Sequence, residues 1–291
     1  MNDKSGFYPE EISKAVEGVK RKRPDYASML NLYEKIFIAQ EKSKSDIRLS
    51  EYSIPGDILS LKLKEKLPLL TISQFNIDYE SSKHLFEDIC AILSKADDGL
   101  SDHIKKITDL IDEKKLNTDE LLSAIIQEDE SFFEKVEEEY RIDKKILSFI
   151  LYNSIKPSLT LFSDKLSGYL DKLNEWDKGY CPVCGSAPEV SLFEENGKRF
   201  LICSFCNHKW ASKRIYCPFC ENTDHKSLHY FNIEDEEEYR VDVCDLCKKY
   251  IKTIDTKKTT RIIYPQLEYV STPHIDIKIE EMGFRKGINF D

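Results

Sequence analysis

Residues 180–220, YCPVCGSAPEVSLFEENGKRFLICSFCNHKWASKRIYCPFC, and residues 239–253, YRVDVCDLCKKYIKT, hold eight of the nine cysteines of this 291-residue chain. The eight form four Cys-x-x-Cys pairs, which are Cys181/Cys184, Cys203/Cys206, Cys217/Cys220 and Cys244/Cys247. Eighteen residues separate the first pair from the second, and 23 separate the third from the fourth. Two such loops can close on one tetrahedral ion at this kind of interval. The spacing therefore predicts two tetrathiolate metal sites.

The residue after each pair bears on how well each site forms. A Cys-x-x-Cys loop directs backbone N–H groups at its sulfurs and often places a left-handed residue just after the second cysteine. Gly185 and Asn207 tolerate that conformation well, whereas Glu221 and Lys248 do not. We therefore expect the second site to match the pattern less well. Sequential pairing is our choice, and a crossed arrangement that joins the first and third pairs stays open.

Four sulfur ligands limit the chemistry of each site. A closed tetrathiolate leaves no coordination position for a substrate or water, which argues against hydrolytic catalysis. Tetrahedral sulfur coordination suits zinc and a single iron equally. Disulfide exchange of the thioredoxin type needs a cysteine pair at a helix N-terminus in a βαβ context, which the sequence lacks. We expect two metal ions, iron or zinc, and no catalytic residues.

Composition and charge describe a soluble globular protein. Hydrophobic residues make up 41% and charged residues 33% of the chain, and no stretch approaches the roughly 20 apolar residues of a membrane helix. The N-terminus lacks a secretory signal pattern, so we expect the cytoplasm, where paired cysteines bind metal more often than they form disulfides. The net charge of −10 is spread over both parts: residues 1–179 hold 27 basic and 35 acidic side chains, and residues 180–291 hold 16 and 18. This balance argues against a nucleic-acid-binding protein.

Residues 10–173 follow helical periodicity. Met29, Leu32 and Ile36 fall on one stripe of a segment for which Asp25 is a plausible N-cap. Similar stripes recur down the chain, and Pro157 is expected to kink or end a later helix. The pattern predicts an all-helical region of seven to nine helices.

From residue 177 onward the pattern changes to short β-branched and aromatic runs between the cysteine pairs. These predicted strands are EVSLF (189–193), RFLICS (199–204), KSLHYFNI (226–233), YRVDV (239–243) and YIKTI (250–254). Asn196-Gly197 predicts a hairpin turn between the first two strands. A last helix is expected over 273–282. The order of pair, hairpin and pair occurs twice, which indicates an internal duplication.

The remaining histidines and the ninth cysteine give weaker signals. Cys90 lies on the apolar stripe of its helix and is expected to be a small core residue. His208 follows Cys206 by two residues and is expected beside the first site or at the surface, because four cysteines already fill that site. His225 and His229 show no sequence partner.

Two charged runs also stand out. The acidic run 234–238 is most simply a solvated loop, with partner recognition as the minority interpretation. The basic run 20–23 ends a helix, where it favours the helix dipole.

With these motifs in view, the chain resembles the formate dehydrogenase accessory protein family of the FdhE type. The resembling stretches are YCPVCGSAPEVS, FLICSFCNHKWASKRIYCPFC, LHYF and EYRVDVCDLCKKYIKT. The most specific feature is the connection between the second and third cysteine pairs. It contains Trp210 and Arg214, and Cys217 follows Cys206 by eleven residues. The tail STPHIDIKIEEMGFRKGIN and the earlier DYASMLNLYEKIFIAQ and LPLLTISQFNIDYE are also similar. The resemblance covers most of the chain and is strongest over 180–253.

The resemblance implies an α+β protein: a helical domain, 1–176, then two tandem rubredoxin-like, or zinc-ribbon-like, modules, 177–213 and 214–266, and a C-terminal helix and tail, 267–291. It implies that the eight paired cysteines bind iron or zinc. It further implies a cytoplasmic assembly factor, not an enzyme, that contacts the catalytic subunit of a respiratory formate dehydrogenase, or a related molybdenum or tungsten oxidoreductase, before export. Glu221, Lys248 and the divergent N-terminal half depart from the family pattern.

Two other functions stay open. One is a rubredoxin-like electron carrier, for which the tetrathiolate is the motivating feature. The other is a zinc-ribbon nucleic-acid-binding module, which the acidic balance disfavours. Self-association is left open.

Overall fold

A computed structural model describes residues 6–96, 99–172 and 176–288. Its α-helices, α1 to α10 in order, are Pro9–Lys22, Ala27–Ser43, Gly56–Lys64, Tyr79–Leu93, Leu100–Asp112, Thr118–Ile126, Glu130–Tyr140, Lys144–Ser167, Pro265–Val270 and Pro273–Glu281. Its strands, β1 to β7, are Pro188–Phe193, Arg199–Cys203, Lys209–Ser212, Leu228–Asn232, Tyr239–Cys244, Lys249–Asp255 and Arg285–Lys286. Helices followed by a sheet and further helices confirm the α+β class. The predicted helical limit at Leu173 and the last residues of the tail lie outside the described part.

The chain divides into two compact units, and both are discontinuous. The first comprises Met1–Val16, Arg23–Tyr52 and Thr71–Phe162, and the second comprises Glu17–Lys22, Ser53–Leu70 and Ser163–Asp291. The finer division at residues 176, 213 and 266 stays a prediction.

The first unit is helical, and side-chain caps define where several of its helices begin. Asp78, Asn117 and Asp129 each accept a backbone N–H from the first turn of α4, α6 and α7, which satisfies donors that a helix start leaves unpaired. Asp25 does not cap α2. It lies in a 3₁₀ turn, Pro24–Tyr26, that leads into that helix, so this prediction was wrong.

Pro157 was expected to kink or end its helix, and the structure excludes the second outcome. It lies inside α8, which continues to Ser167. Proline cannot donate a hydrogen bond to the carbonyl four residues earlier. That carbonyl, on Asn153, instead accepts the side-chain amide of the buried Gln40 at 2.8 Å. A tertiary contact therefore satisfies the group that the proline leaves free.

The second unit contains a mixed sheet whose strand order is β3-β2-β1-β6-β5-β4, with β7 against β6. β1, β2 and β3 form one antiparallel meander, and β4, β5 and β6 form another. The two meanders join through β1 and β6, which run parallel. The second meander thus repeats the first beside it in one continuous sheet, as an internal duplication predicts.

The five strands predicted from sequence are present within a residue or two. The turn over 194–197 connects β1 to β2, with Gly197 at φ 77° and its N–H donated to the Glu194 carbonyl. Sequence reasoning missed β3 and β7, which are four and two residues long and lack a β-branched run. The final helix was correctly placed as α10.

The two faces of the sheet differ. One face carries an apolar core that packs against Ile275 and Ile279 of α10 and against Phe284. On the other face, cross-strand partners place Ser191, Thr253 and Arg240 side by side. This polar face and the ends of the strands hold the candidate sites. Among the described residues, no helix is long and apolar enough to cross a membrane.

Candidate metal centres

The first group of cysteines is formed by Cys181, Cys184, Cys203 and Cys206, whose sulfurs lie within 4.8 Å of one another. Sulfur separations are 3.7 Å for Cys181–Cys206, 3.3 Å for Cys184–Cys203 and 3.6 Å for Cys184–Cys206. All four residues are buried, and the most exposed retains only 6% of its surface. The Phe205 and Cys206 backbone N–H groups each donate to the Cys203 sulfur at 3.4 Å.

The second group is formed by Cys217, Cys220, Cys244 and Cys247. Cys217–Cys247 and Cys220–Cys244 each have their sulfurs 3.6 Å apart. The Asn222 side-chain amide donates to the Cys244 sulfur at 3.6 Å. Cys220 is exposed and Cys247 is half-buried, so this group opens to solvent.

These groupings follow the sequential pairing. The crossed arrangement does not occur. In each meander, the Cys-x-x-Cys loop before the first strand lies next to the Cys-x-x-Cys loop that follows the second strand. Cys203 ends β2 opposite Pro188, and Cys244 ends β5 just before β6 begins. Since β1 and β6 run parallel, both groups lie at the same end of the sheet.

All four loops place a left-handed residue after the second cysteine. Its φ is 79° at Gly185, 61° at Asn207, 60° at Glu221 and 56° at Lys248. The expectation that the two charged residues weaken the local match was wrong for the backbone, because they adopt the same conformation. Hydrogen bonds fix it: the Gly185 N–H reaches the first cysteine's carbonyl at 2.9 Å, as do those of Glu221 and Lys248.

The thiols within each group differ in acidity. In the first group, hydrogen bonds from the neighbouring thiols lower the pKa of Cys184, whereas burial raises the pKa of Cys181 and Cys203. In the second group, burial works against ionisation of Cys244, but N–H donation from Cys247, Asn222 and Leu246 lowers its pKa to about 7. Cys184 in the first group and Cys244 in the second therefore favour the thiolate, the form that binds metal.

The donor set and the spacing fit a tetrahedral ion. Four sulfurs at about 2.3 Å from a central zinc would lie roughly 3.8 Å from one another. The sulfur separations of 3.3 to 3.7 Å in the two groups are close to that value. Each group can therefore hold one metal ion. Iron and zinc both accept this donor set.

Two of the weaker candidates behave as the sequence predicted. Cys90 is 3% exposed on α4, and burial raises the pKa of its thiol to about 12, which leaves it unreactive. His208 lies beside the first group, where burial lowers its pKa to about 4 and its ring stacks on Trp210 at an interplanar angle of 7°.

Two predictions about charged residues were wrong. His229 has a partner, because its Nε2 lies 2.8 Å from Asp245 in the second group's loop. The acidic run is not wholly solvated either. Glu238 keeps only 2% of its side chain exposed and pairs with Lys22 at 2.6 Å and with Arg261 at 3.7 Å. The sequence signal for Glu238 was its place directly before an apolar strand.

Together, the helical unit and the duplicated sheet with a four-cysteine group on each meander define a ribbon protein with two tetracysteine sites. A family model described as FdhE, central domain, matches residues 180–214. A protein FdhE homolog from Aquifex aeolicus is 29% identical over 273 residues, 92% of this chain and 89% of that protein. Protein FdhE from Escherichia coli is 33% identical over 115 residues, 38% of this chain and 36% of that protein.

A solved structure of an FdhE protein has a similar fold. The crystal structure of the FdhE protein from Pseudomonas aeruginosa has a TM-score of 0.65, 15% identity, and coverage of 96% of this chain and 94% of that chain. The chain is therefore similar to FdhE proteins over most of its length, and its fold matches that of a solved FdhE structure.

Proposed function

We propose that this chain is an accessory factor for the assembly or maturation of a formate dehydrogenase. In this proposal it binds the catalytic subunit, or that of a related molybdenum or tungsten oxidoreductase, in the cytoplasm before export. Similarity to FdhE proteins over most of the chain carries the proposal, through the resemblance to formate dehydrogenase accessory proteins. The four-sulfur groups support a non-catalytic role, because four protein ligands leave no position for a substrate.

In the same proposal, the eight paired cysteines bind two metal ions, iron or zinc. The first ion, surrounded by buried sulfurs, holds together the strand ends of the first meander. The second does the same at a more exposed place. Metal binding and local folding are coupled in such small units.

Affinity capture tests the proposed partner. Tagged full-length protein is expressed in its native host, grown anaerobically with formate, and bound proteins are identified by mass spectrometry against an untagged culture. The expected result is enrichment of the catalytic subunit of a formate dehydrogenase or a related oxidoreductase. Capture of no such subunit under these conditions would contradict the proposal.

One observation favours a second function. Cys220 is exposed, and electron transfer from a tetrathiolate iron benefits from an exposed sulfur. A rubredoxin-like carrier would be red when purified without oxygen and would bleach reversibly on reduction. Colourless, redox-silent protein that contains zinc would exclude this alternative.

A further inference from the structure

The polar face of the sheet contains a cleft of about 290 Å³, whose lining includes Cys217 and Cys244 of the second cysteine group. It lies where the two meanders join, and the loop before Cys217 covers one side. Its basic residues are Arg199, Arg214, Arg240 and Lys249, and its one acidic residue is Asp242. A basic excess of this kind is unexpected in a chain of net charge −10.

Arg199 forms the floor of the cleft and has its hydrogen bonds satisfied. It is 2% exposed, and its guanidinium donates to the Ser191 hydroxyl at 2.9 Å, the Tyr216 carbonyl at 2.9 Å and Asp242 at 3.4 Å. Asp242 also accepts from Thr253 at 2.5 Å and pairs with Arg240 at 2.8 Å. The carboxylate of Asp242 is thus shared by several donors.

Arg214 and Arg240 retain unused donors. Both guanidinium groups lie over the Phe193 ring, at 5.3 Å and 4.3 Å from its centroid, and Arg240 also lies 4.8 Å from that of Tyr230. Stacking on a ring leaves the N–H edge of a guanidinium directed away from it. The Nε of Arg240 is buried with no hydrogen-bond partner, and Arg214 has no ion-pair partner among the described residues.

Arg240 lies away from the sulfur of Cys244 in the second group. Arg240 precedes Cys244 by four residues on β5, which places them about 13 Å apart along the strand. Arg240 lies opposite Asn232 at one end of β4, whereas Cys244 lies opposite Leu228 at the other. An anion bound at Arg240 therefore lies away from Cys244.

The rim of the cleft favours a peptide over a small ion. Ile215 is 60% exposed and Tyr230 is 57% exposed, and both line the cleft. Tyr230 belongs to β4, the edge strand of the sheet, and β5 is its one strand neighbour within the described residues. An extended peptide can pair with such an edge while alternate side chains point to one face. Inorganic phosphate would use neither the apolar rim nor the strand edge.

We propose that this cleft binds an extended, acidic segment of a partner protein, in which carboxylates meet Arg214 and Arg240 and the intervening apolar side chains meet Ile215 and Tyr230. Arginine suits this role because its planar fork can bind a carboxylate through two N–H groups. The identity of the partner as a dehydrogenase subunit rests on the proposed function, but the chemistry of the cleft does not.

A peptide titration tests the cleft directly. The probe is a fluorescein-labelled ten-residue peptide of alternating glutamate and valine, and its control replaces each glutamate by glutamine. Fluorescence polarisation is measured with the full-length, metal-loaded protein and its Arg214→Glu and Arg214→Lys variants. Lys257→Glu is the matched control, since Lys257 is exposed, outside the cleft, and undergoes the same charge change. Circular dichroism and metal content verify that each variant is folded.

The expected results follow from the contacts. The acidic peptide binds, and the glutamine peptide binds at least tenfold more weakly. Arg214→Glu weakens binding at least tenfold, Arg214→Lys less, and Lys257→Glu less than twofold. The inference would be overturned if the two peptides bind equally or if neither binds. It would also be overturned if Arg214→Glu and Lys257→Glu weaken the affinity for the acidic peptide equally. So would displacement by 1 mM inorganic phosphate at constant ionic strength, which would identify a small-ion site.

Affinity capture with the same variants separates this inference from the proposed function. If wild-type protein captures a dehydrogenase subunit and Arg214→Glu captures it equally well, the inference is wrong and the function stands. If wild-type protein captures no such subunit, the function is wrong and the peptide titration still decides the cleft.

Discussion

The two cysteine groups share one local construction but differ in their surroundings. Both use loops closed by a left-handed residue, at the same end of one sheet. The four cysteines of the first group are buried, whereas in the second Cys220 is exposed and Cys247 half-buried. The turn between β1 and β2 contains Asn-Gly, while that between β4 and β5 ends at the buried, ion-paired Glu238. The comparison teaches that the Cys-x-x-Cys loops determine the local arrangement of the sulfurs, whereas the packing around them determines how exposed the sulfurs are.

The largest expected effect is the loss of a metal ion. Cys184→Ser and Cys220→Ser should each release about one ion, because three sulfurs hold a structural metal poorly. Structural zinc contributes on the order of 10 kcal/mol to folding in small units. The fall in melting temperature should be greater for Cys184→Ser, since its site is buried among core residues. Metal analysis and thermal denaturation measure both quantities.

Cys90→Ala is the control for that experiment. It removes the ninth cysteine, which lies in a helix of the first unit, and should leave both ions bound. Retention of two ions by either serine variant would refute the ligand assignment.

The next effect concerns Glu238, the buried carboxylate at the end of the turn between β4 and β5. Glu238→Ala should lower the free energy of unfolding by about 1–2 kcal/mol, because Lys22 loses its partner while Arg261 keeps its pair with Glu268. Glu237→Ala, one residue earlier and exposed, should change it by less than about 0.5 kcal/mol. Denaturant titration measures the difference, and equal effects would show that the buried pairing contributes nothing.

The same residue gives a pH dependence. Burial opposes ionisation of Glu238, but Lys22, a backbone N–H and Arg261 together hold its pKa below the ordinary 4.5. A depressed pKa stabilises the folded state above pH 4.5, and that stabilisation is lost as the pH falls through the lower, folded-state value. Wild-type stability should therefore fall more steeply below pH 4.5 than that of Glu238→Ala. Parallel curves would contradict this.

A smaller effect, about tenfold in rate, is expected for reaction with chelators and alkylating reagents. Exposure of Cys220 and Cys247 should let a metallochromic chelator remove the second ion about tenfold faster than the first. Mass spectrometry after iodoacetamide treatment should identify these two cysteines as modified first. Release of both ions in a single phase, or earlier modification of Cys184, would remove the proposed difference between the sites.

The smallest effect tests the left-handed residues. Glu221→Gly should be about 1 kcal/mol more stable than Glu221→Ala, because both lose the exposed pair with Lys178 and only glycine relieves φ 60°. Gly185→Ala should lose about 1–2 kcal/mol, since its φ is 79° and a Cβ would lie 3.0 Å from the Pro68 ring. Equal stability of the two Glu221 variants would show that this strain is absent.

Sequence reasoning located most of the secondary structure because the signals were local. The Asn-Gly turn, the β-branched runs and the helical stripes each depend on neighbouring residues, and the structure confirms them. The same reasoning did not establish that the helix continues past Pro157, because the amide that binds the free carbonyl comes from Gln40, more than a hundred residues away. It also failed for Glu238 and His229, whose partners depend on how strands and helices pack.

By itself, the sequence determined that the eight cysteines form four Cys-x-x-Cys pairs suited to two groups of four sulfurs, because the spacing within each pair is fixed by the chain. Which pairs meet was decided by the tertiary structure. Only the tertiary structure decided that the two meanders join through parallel strands into one sheet. That junction depends on long-range pairing of β1 with β6, for which no local pattern exists. It places both groups at one end, buries one more deeply than the other, and brings Arg214 and Arg240 together over Phe193.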